Sequence, residues 1–344
     1  MGMTNEQMLA RLDQAVKFIT LADMGSSVLV PEQFDRFVRA MEAKTVILPE
    51  ARFVRMTNHR ENIDRIALTD RILHSGGEVD GATKLQAHRE LADGEMAKVT
   101  TATNQLIARE TQAVAGIYDA TVRRIIERGN FENTLVELMG EAAGRDLEEF
   151  GLLADTDILH ADDDVLSLTD GWVKRADNKL YGGGLVPDFN TGAADWPENL
   201  FEAILAATPK KHLGNRNEWR LWVPWSIEND YRNLLKARGT ALGDVMQTGH
   251  QPVPYKGIPV VYAPIIERAK SRDNGGDVKN FPGRVVLFGH PDNLVWGVFH
   301  EVTIEPERHA RGRKTSFVMT IEADAHYEDE TAATAAFLDQ ADPA

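Results

Sequence analysis

Several side chains have the types and spacings of metal ligands, but each pattern lacks a member. His300 and Glu301 begin an H-E-x-x-H zinc motif, yet Ile304 occupies the position of the second histidine. Aspartates at 162–164 begin like a calcium loop, yet Ser167 stands where that loop requires glycine. The sequence therefore predicts no metal site, and we expect the aspartates to form a solvated acidic turn.

Motifs for nucleotides and nucleophiles are also incomplete. Glycines at 182–184 lack the spacing of a dinucleotide fingerprint and follow a poor strand, so a hinge is the expected role. The chain has no G-x-x-x-x-G-K-[ST] loop and no G-x-S-x-G elbow. It also has no cysteine, which excludes disulfides, zinc–thiolate sites, iron–sulfur clusters and cysteine catalysis.

Aromatic and acidic residues leave two further possibilities. Trp219, Trp222 and Trp225 could stack on sugars or bases, but at this spacing tryptophans more often anchor a core or an interface. Paired carboxylates for glycoside hydrolysis stay open, because such residues need not be close in sequence. The ten histidines show no ligand spacing. We therefore expect no catalytic, cofactor-binding or metal-binding residues, and a protein that is not an enzyme.

Composition describes a soluble globular chain with an acidic surface. Its 344 residues are 43% hydrophobic and 26% charged, and they can form two or more subdomains. The net charge of −15 argues against a surface that grips DNA phosphates. It fits a protein that stays soluble at high concentration, or that lies beside nucleic acid without adhering. No apolar run could cross a membrane and the first ten residues are polar, so a cytoplasmic location is expected.

The stretch 284–327 is a series of short β-runs separated by polar turns. Apolar residues occupy every second position of its last run, which predicts a strand with one face against a core. These residues are Phe317, Met319, Ile321, Ala323 and Ala325. Positions 290–293 have turn chemistry, and a basic cluster is expected at the tip of the last hairpin. The cluster consists of Arg308, Arg311, Arg313 and Lys314.

Hydrophobic spacing predicts several helices in the first half of the chain. Residues 4–20 and 34–41 have helical spacing, and one or two helical turns are expected within 110–128. The longest helical pattern covers 131–154. After a loop-rich stretch a second domain is expected, with alternating helices and strands and a short apolar tail that returns to it. The elements are helix 200–205, strand 219–224, helix 225–237, strand 256–261 and tail 331–338.

The region 51–109 has strand-like runs but few large apolar residues. The region predicts two β-ribbon arms. Because a compact domain rarely contains so long a segment with so few apolar residues to bury, we expect the arms to contact another molecule. The bland alternative is a solvated surface hairpin, since surface charges alone are weak evidence. In the first interpretation four arginines would find acidic partners across an interface. They are Arg52, Arg55, Arg60 and Arg65.

These patterns resemble, in order along residues 25 to 330, the Hong Kong 97-type major capsid proteins of tailed double-stranded DNA phages. The C-terminal part resembles their G-x-P-x-N turn, Arg-rich turn and closing F-V-x-T-x-x-x-D strand. The matching residues are Gly289, Pro291, Asn293, Glu305, Arg308, Arg313, Phe317, Val318, Thr320 and Asp324. An extended L-V-P entry at 29–31, the run 44–48 and the G-x-P-V strand at 257–260 resemble other parts of that family.

The resemblance implies an α+β Hong Kong 97-like capsid fold and a division of the chain. Residues 1–50 would form an N-terminal arm and 51–109 an extended loop. A peripheral domain would combine 110–165 with 284–330, and its spine helix would cover 131–154. An axial domain would combine 166–283 with 331–344. The family's G-D-G turn after the spine helix is replaced here by Ala-Asp-Thr-Asp at 154–157.

The resemblance also implies a structural role. Hexamers and pentamers would close into an icosahedral head around double-stranded DNA, with no cofactor and no membrane. The expected partners are further copies of the chain, a scaffolding protein, a portal, a processing protease and possibly a decoration protein. The expected location is the virion, and the host cytoplasm during assembly. The predicted inter-subunit contacts are Arg52, Arg55, Arg60, Arg65, Arg308, Arg311 and Arg313.

Two alternatives stay open at this point. An encapsulin-type nanocompartment has the same fold but encloses a cargo enzyme and packages no DNA. A soluble α+β enzyme with a Trp-lined pocket and carboxylates would be a monomer or dimer in solution.

Overall fold

A computed structural model of the chain contains two β-sheets and one long helix that position everything else. The structure describes residues 45–68, 73, 78–80, 84–86, 99–118, 131–158, 163–183, 187–193, 195–237, 252–268, 284–299, 303–309 and 311–341. The predicted helices at 4–20 and 34–41 lie outside these residues, as does the segment 119–128.

Fifteen strands and four α-helices are described. The strands of the first half are β1 (Arg52–Met56), β2 (Arg60–Leu68), β3 (Glu78–Asp80), β4 (Lys84–Gln86), β5 (Val99–Ile107), β6 (Arg109–Tyr118) and β7 (Asn178–Gly183). Those of the second half are β8 (Arg220–Val223), β9 (Pro254–Tyr255), β10 (Ile258–Tyr262), β11 (Val285–Gly289), β12 (Leu294–Phe299), β13 (Thr303–His309), β14 (Lys314–Tyr327) and β15 (Thr334–Ala341). The helices are α1 (Phe131–Leu153), α2 (Trp172–Arg175), α3 (Glu198–Ala207) and α4 (Trp225–Ala237).

The five-stranded sheet is built around β14. This strand pairs antiparallel with β13 on one edge and with β6 on the other, and β12 continues the first edge and pairs in parallel with β1. The alternating residues predicted for its core face are at most 3% exposed. They pack against Met139, Leu147 and Phe150 of α1. Burial of a side chain as large as Phe317, Met319 or Ile321 stabilises the fold by about 1.5–3 kcal/mol. The period-two pattern predicted for β14 and the helical spacing predicted for α1 are both confirmed.

One or two helical turns were expected within 110–128, of which 119–128 lies outside the described residues. The described segment 110–118 is not helical, so the prediction is wrong for this part. It is part of β6, which pairs with β14 over ten positions from Arg109 to Tyr118. The helical pattern there was short, whereas pairing with β14 satisfies the backbone groups of the whole segment. Thr111 adds a hydrogen bond from its hydroxyl to the carbonyl of Ile321 at 2.9 Å. Tertiary pairing therefore overrides local spacing in this segment.

The six-stranded sheet has the order β7-β15-β11-β8-β10-β9. The predicted helices and strands of the second domain are present, and the apolar tail returns as β15 between β7 and β11. One strand lies on the other side of the predicted division: Val285–Gly289 was grouped with the peripheral part but pairs with β8 and β15. All five of its residues are buried, so both faces of the strand are covered, and β15 and β8 pair with its two edges.

The glycines at 182–184 were expected to form a hinge, but Gly182 and Gly183 lie within β7. A Cβ on Gly182 would lie 2.6 Å from the ring of Phe189 and 2.8 Å from the carbonyl oxygen of Leu338. Glycine is therefore required at this position for the close approach of neighbouring chain, not for bending.

Candidate assembly surfaces

The strands β2 and β5 form a separate two-stranded ribbon. These strands pair over nine positions, from Arg60↔Ile107 to Leu68↔Val99. In the part of the chain that the structure describes, no third strand pairs with them. A two-stranded ribbon is marginally stable by itself. Two of its cross-strand pairs are joined by side-chain hydrogen bonds: Thr103 donates to Asp64 at 2.8 Å and Gln105 donates to Asn62 at 3.0 Å.

The base of the ribbon has a small apolar core. Ile63 and Leu106 pack with Met56 of β1 and Val295 of β12. The ribbon approaches β12 so closely that a Cβ on Gly297 would lie 2.8 Å from Leu106 Cδ1 and 2.9 Å from Met56 Sδ. The ribbon is thus joined to the five-stranded sheet at one end.

Polar contacts also join the ribbon base to the end of β14. The backbone N–H of Ile107 donates to Asp324 Oδ2 at 2.8 Å, and the amide of Asn104 donates to the carbonyl of Tyr327 at 2.8 Å. Arg65 forms an ion pair with Asp329. We call these three contacts the ribbon clasp.

Asp324 is the buried member of the ribbon clasp. Its Oδ1 accepts a hydrogen bond from the hydroxyl of Thr169 at 3.0 Å and lies 3.5 Å from the guanidinium of Arg175. Burial raises the pKa of this carboxyl, and the nearby Arg175 and the hydrogen bonds from Ile107 and Thr169 oppose that shift. The side chain is closed off from solvent, so its partners are the protein groups around it.

The arginines of region 51–109 lie in different surroundings. Arg52 pairs with Glu328 at 2.7 Å and Arg65 pairs with Asp329, both within the chain. Arg55 is half-buried on β1, whereas Arg60 is exposed at the base of the ribbon. Arg52 and Arg65 therefore have acidic partners inside the subunit, and contacts of the four arginines across an interface stay a prediction.

The predicted hairpin tip is present between β13 and β14, with Arg308 opposite Thr315. Arg308, Arg311 and Arg313 are exposed there. Arg313 has a positive φ of 46°, which suits the turn. The tip therefore carries positive charge out from an otherwise acidic chain.

Segment 45–51, which leads into β1, is held by α1. Oε1 of Glu148 accepts the backbone N–H groups of Val46 at 2.8 Å, Ile47 at 2.5 Å and Leu48 at 3.4 Å. Ile47 and Leu48 are buried in the main core. Burial raises the pKa of Glu148, and the three N–H groups and Arg268 oppose that shift.

Asp162, His300 and Glu301 lie outside the residues that the structure describes, and the other residues considered for metal and ligand chemistry have ordinary structural positions. Asp163 caps a turn by accepting the N–H groups of Val165 and Leu166 at 3.0 and 2.8 Å. Trp219 and Trp222 are buried in the two cores, and Trp225 is exposed. Among the described residues, no group of three His, Asp or Glu could hold a metal ion. None of the described helices is long and apolar enough to span a membrane.

Solved structures with this arrangement of sheets, helix and ribbon are phage capsids and related particles. The chain matches a chain of the satellite phage P4 procapsid that includes the size determination protein, with a TM-score of 0.59 and 11% identity over 90% of this chain and 100% of that one. It matches the capsid of an empty GTA particle with a TM-score of 0.52 and 12% identity, covering 86% and 90%. The chain has the Hong Kong 97-type capsid fold.

Mycobacterium phage Ogopogo supplies another structure with the Hong Kong 97-type fold, with a TM-score of 0.52 and 12% identity over 85% of this chain and 91% of that one. In sequence, a curated relative from Bacillus subtilis (strain 168) is 25% identical over 334 residues, which cover 96% of this chain and 97% of the relative. That relative is named "Putative prophage capsid protein YqbE". No family model matches the chain.

Sequence reasoning missed Asp324 and Glu148 as structural carboxylates. Asp324 was recognised only as a motif residue on the solvent-facing or neighbour-facing side of its strand. The strand pattern did not mark it as buried, because its side chain lies on the face opposite to Ala323 and Ala325. Glu148 gave no signal either, since it lies among other acids on a helix.

Proposed function

We propose that the protein is the major capsid protein of a tailed phage or prophage, which assembles into a closed icosahedral shell around double-stranded DNA. The observation that carries this proposal is the end-to-end similarity to a relative named a prophage capsid protein. The Hong Kong 97-type fold supports it independently, because fold similarity extends over most of the chain at low sequence identity.

Assembly would depend on packing and not on catalysis. The five-stranded sheet and α1 form the body of the subunit, whereas β2 and β5 leave that body as a separate two-stranded ribbon. In an assembled shell the ribbon would lie against a neighbouring subunit. Many repeated contacts of modest strength can stabilise a shell in which each single contact contributes little.

The division into regions belongs to this proposal. Residues 1–50 would be an arm and 51–109 the extended loop, although β1 of that loop pairs with β12 in the five-stranded sheet. The peripheral part would combine 110–165 with 284–330, except that β11 hydrogen-bonds within the six-stranded sheet. The axial part would combine 166–283 with 331–344 and cluster around the symmetry axes of hexamers and pentamers.

Exposed arginines would supply inter-subunit contacts. Arg60 and the hairpin-tip residues Arg308, Arg311 and Arg313 are exposed, and the excess of acidic residues gives neighbouring copies many carboxylates to offer. Arg52, Arg55 and Arg65 would contribute by holding their own strands, with any contact to a neighbour added to that role. The same acidic excess would let packaged DNA lie against the inner wall without adhering.

Other partners are proposed on the same basis. A scaffolding protein, a portal and possibly a decoration protein would join the shell, which would assemble in the host cytoplasm. The relatives described above are named for phages, a prophage and GTA particles, so they do not favour an encapsulin-type nanocompartment or a soluble enzyme.

Electron microscopy and analytical ultracentrifugation of the purified protein test the proposal. We expect closed shells, with rings of five and six subunits after mild dissociation, and no retention of free DNA by subunits at any salt concentration. Particles isolated from an induced lysogen should contain double-stranded DNA. A folded protein that stays monomeric or dimeric under all assembly conditions, or shells that hold a cargo enzyme and no DNA, would contradict it.

A further inference from the structure

We infer that Asp324 is a positioning residue that fixes the direction in which the β2–β5 ribbon leaves the five-stranded sheet. The consequence for shell assembly rests on the proposed function above. The consequence for the subunit itself does not, because the ribbon and its attachment are features of a single chain.

The first argument is the place of the contact along the chain. Asp324 Oδ2 accepts the N–H of Ile107, which is the last residue of β5. Only Ala108 separates β5 from β6, and β6 pairs with β14, the strand that carries Asp324. The carboxylate therefore holds the chain at the point where it passes from the ribbon into the sheet.

The second argument is that the carboxylate is itself held from the other side. Oδ1 accepts the hydroxyl of Thr169 at 3.0 Å and the N–H of Ala325 at 2.9 Å, and it lies 3.5 Å from Arg175 of α2. Thr169 and Arg175 follow α1 in the chain, so one side chain connects the ribbon base to the helical layer. A buried carboxylate with these partners has little freedom to reorient.

The third argument compares the apolar seat of the ribbon with this polar contact. Leu106 and Met56 pack closely over Gly297, and such packing tolerates small rotations because it has no direction. A hydrogen bond from a backbone N–H weakens steeply as its angle bends. The bond from Ile107 to Asp324 is directional, and it lies where β5 passes into β6, so it constrains the angle of the ribbon at that junction.

The remaining contacts of the ribbon clasp lie farther along the ribbon and agree with this role. Asn104 is three residues before Ile107, and Arg65 lies opposite Ala102. Asn104 binds the carbonyl of Tyr327, the last residue of β14, and Arg65 binds the carboxylate of Asp329 just beyond that strand. One face of the ribbon base is therefore held along the end of β14 and the turn that follows it.

Two nearly isosteric variants separate positioning from general stability. Asp324→Asn keeps the shape but loses the charge and one acceptor position, so the N–H of Ile107 loses its charged acceptor. Thr169→Val removes the hydroxyl on the other oxygen and leaves the Ile107 contact in place. Both remove a buried hydrogen bond of the same carboxylate, and only the first acts directly on the ribbon.

Amide hydrogen exchange of the dissociated subunit, followed by mass spectrometry, is the direct readout. For Asp324→Asn we expect exchange in segments 60–65 and 101–107 to rise about tenfold or more, while α1 stays protected. For Thr169→Val we expect wild-type exchange in the ribbon. Assembly reactions of Asp324→Asn should then give misshapen or open shells, whereas Thr169→Val should give wild-type shells.

Three outcomes overturn the inference: unchanged ribbon exchange in Asp324→Asn, equal ribbon exchange in both variants, or wild-type shells from a variant with a loosened ribbon. If Asp324→Asn fails to fold, Asn104→Ala changes the same attachment from the half-buried ribbon side, and it must still raise exchange in the ribbon alone. Failure of the wild-type protein to form shells would contradict the proposed function and leave the exchange result to decide the inference.

Discussion

Glu148 provides a quantitative test of how the segment before β1 is attached to the body. Its Oε1 receives N–H groups from Val46 at 2.8 Å and Ile47 at 2.5 Å, with a weaker contact from Leu48 at 3.4 Å. Glu148→Ala removes the acceptor and leaves these donors buried beneath α1. The variant therefore loses an attachment without removing any side chain of the attached segment.

The expected cost follows from the two short contacts. A buried donor left without an acceptor costs about 1–3 kcal/mol, so two of them predict a loss of roughly 2–6 kcal/mol. Glu148→Gln keeps an amide oxygen at the same place and exchanges charged for neutral hydrogen bonds. That variant should lose about 1 kcal/mol or less, because the cost of burying the charge, which raises the pKa of Glu148, also disappears.

Denaturant unfolding of the dissociated subunit measures both losses, and hydrogen exchange at residues 46–48 locates them. We expect exchange there to increase strongly in Glu148→Ala and weakly in Glu148→Gln. Limited proteolysis should cleave near residue 45 faster in the alanine variant. Equal stability of the two variants, or unchanged protection at 46–48 in the alanine variant, would refute the reasoning.

Three further predictions concern the sheet, the surface and pH. Ile321→Asp should abolish folding and assembly, because it removes about 1.5–3 kcal/mol of stabilisation from apolar burial and places a charge at a site that is 3% exposed. The control Gln112→Asp, at an exposed position of β6, should give the circular dichroism spectrum of the folded wild type. Arg60→Glu should leave the subunit's melting temperature unchanged and impair shell growth in light scattering, and normal growth would count against its interface role. Burial and Arg175 lower the pKa of His326 to about 4, so its ring is neutral in the folded protein. The free energy of unfolding of the wild type should therefore decrease by roughly 2 kcal/mol between pH 7 and pH 5, and that of His326→Gln should decrease less over the same range.

The sign of the pH prediction follows from the ring's contacts. Nδ1 of His326 can accept the N–H of Tyr327 at 2.8 Å only while it is unprotonated, and burial and the nearby Arg175 disfavour a positive charge on the ring. The carbonyl of Tyr327, 3.1 Å from Nδ1, favours the protonated ring and opposes part of this lowering of the pKa. Glu330 lies 3.7 Å from Nε2 and partly opposes this effect. Because the folded-state pKa is lower than that of the unfolded chain, stability is full above about pH 6.5 and falls as pH decreases toward 4. An identical pH profile for His326→Gln would show that other groups cause the loss.

Period-two and helical patterns were sufficient for the elements with a strong apolar face. The run from Phe317 to Ala325, the helix Phe131–Leu153 and the helix Trp225–Ala237 lie close to where their spacing predicts them. Such patterns can be recognised in the sequence because one face of each helix or strand must be buried, and apolar burial contributes most of the stabilising free energy.

By itself, then, the sequence determined the strong amphipathic elements, their order, the hairpin with its arginine tip and the resemblance to a capsid family. Only the tertiary structure decided that 109–118 is a strand, that β11 belongs to the six-stranded sheet, and that Arg65 binds Asp329 in the same chain. Strand pairing and buried charge depend on which distant segments meet. Asp324 acquires its role only when Ile107 and Arg175, both far away in sequence, are brought against it.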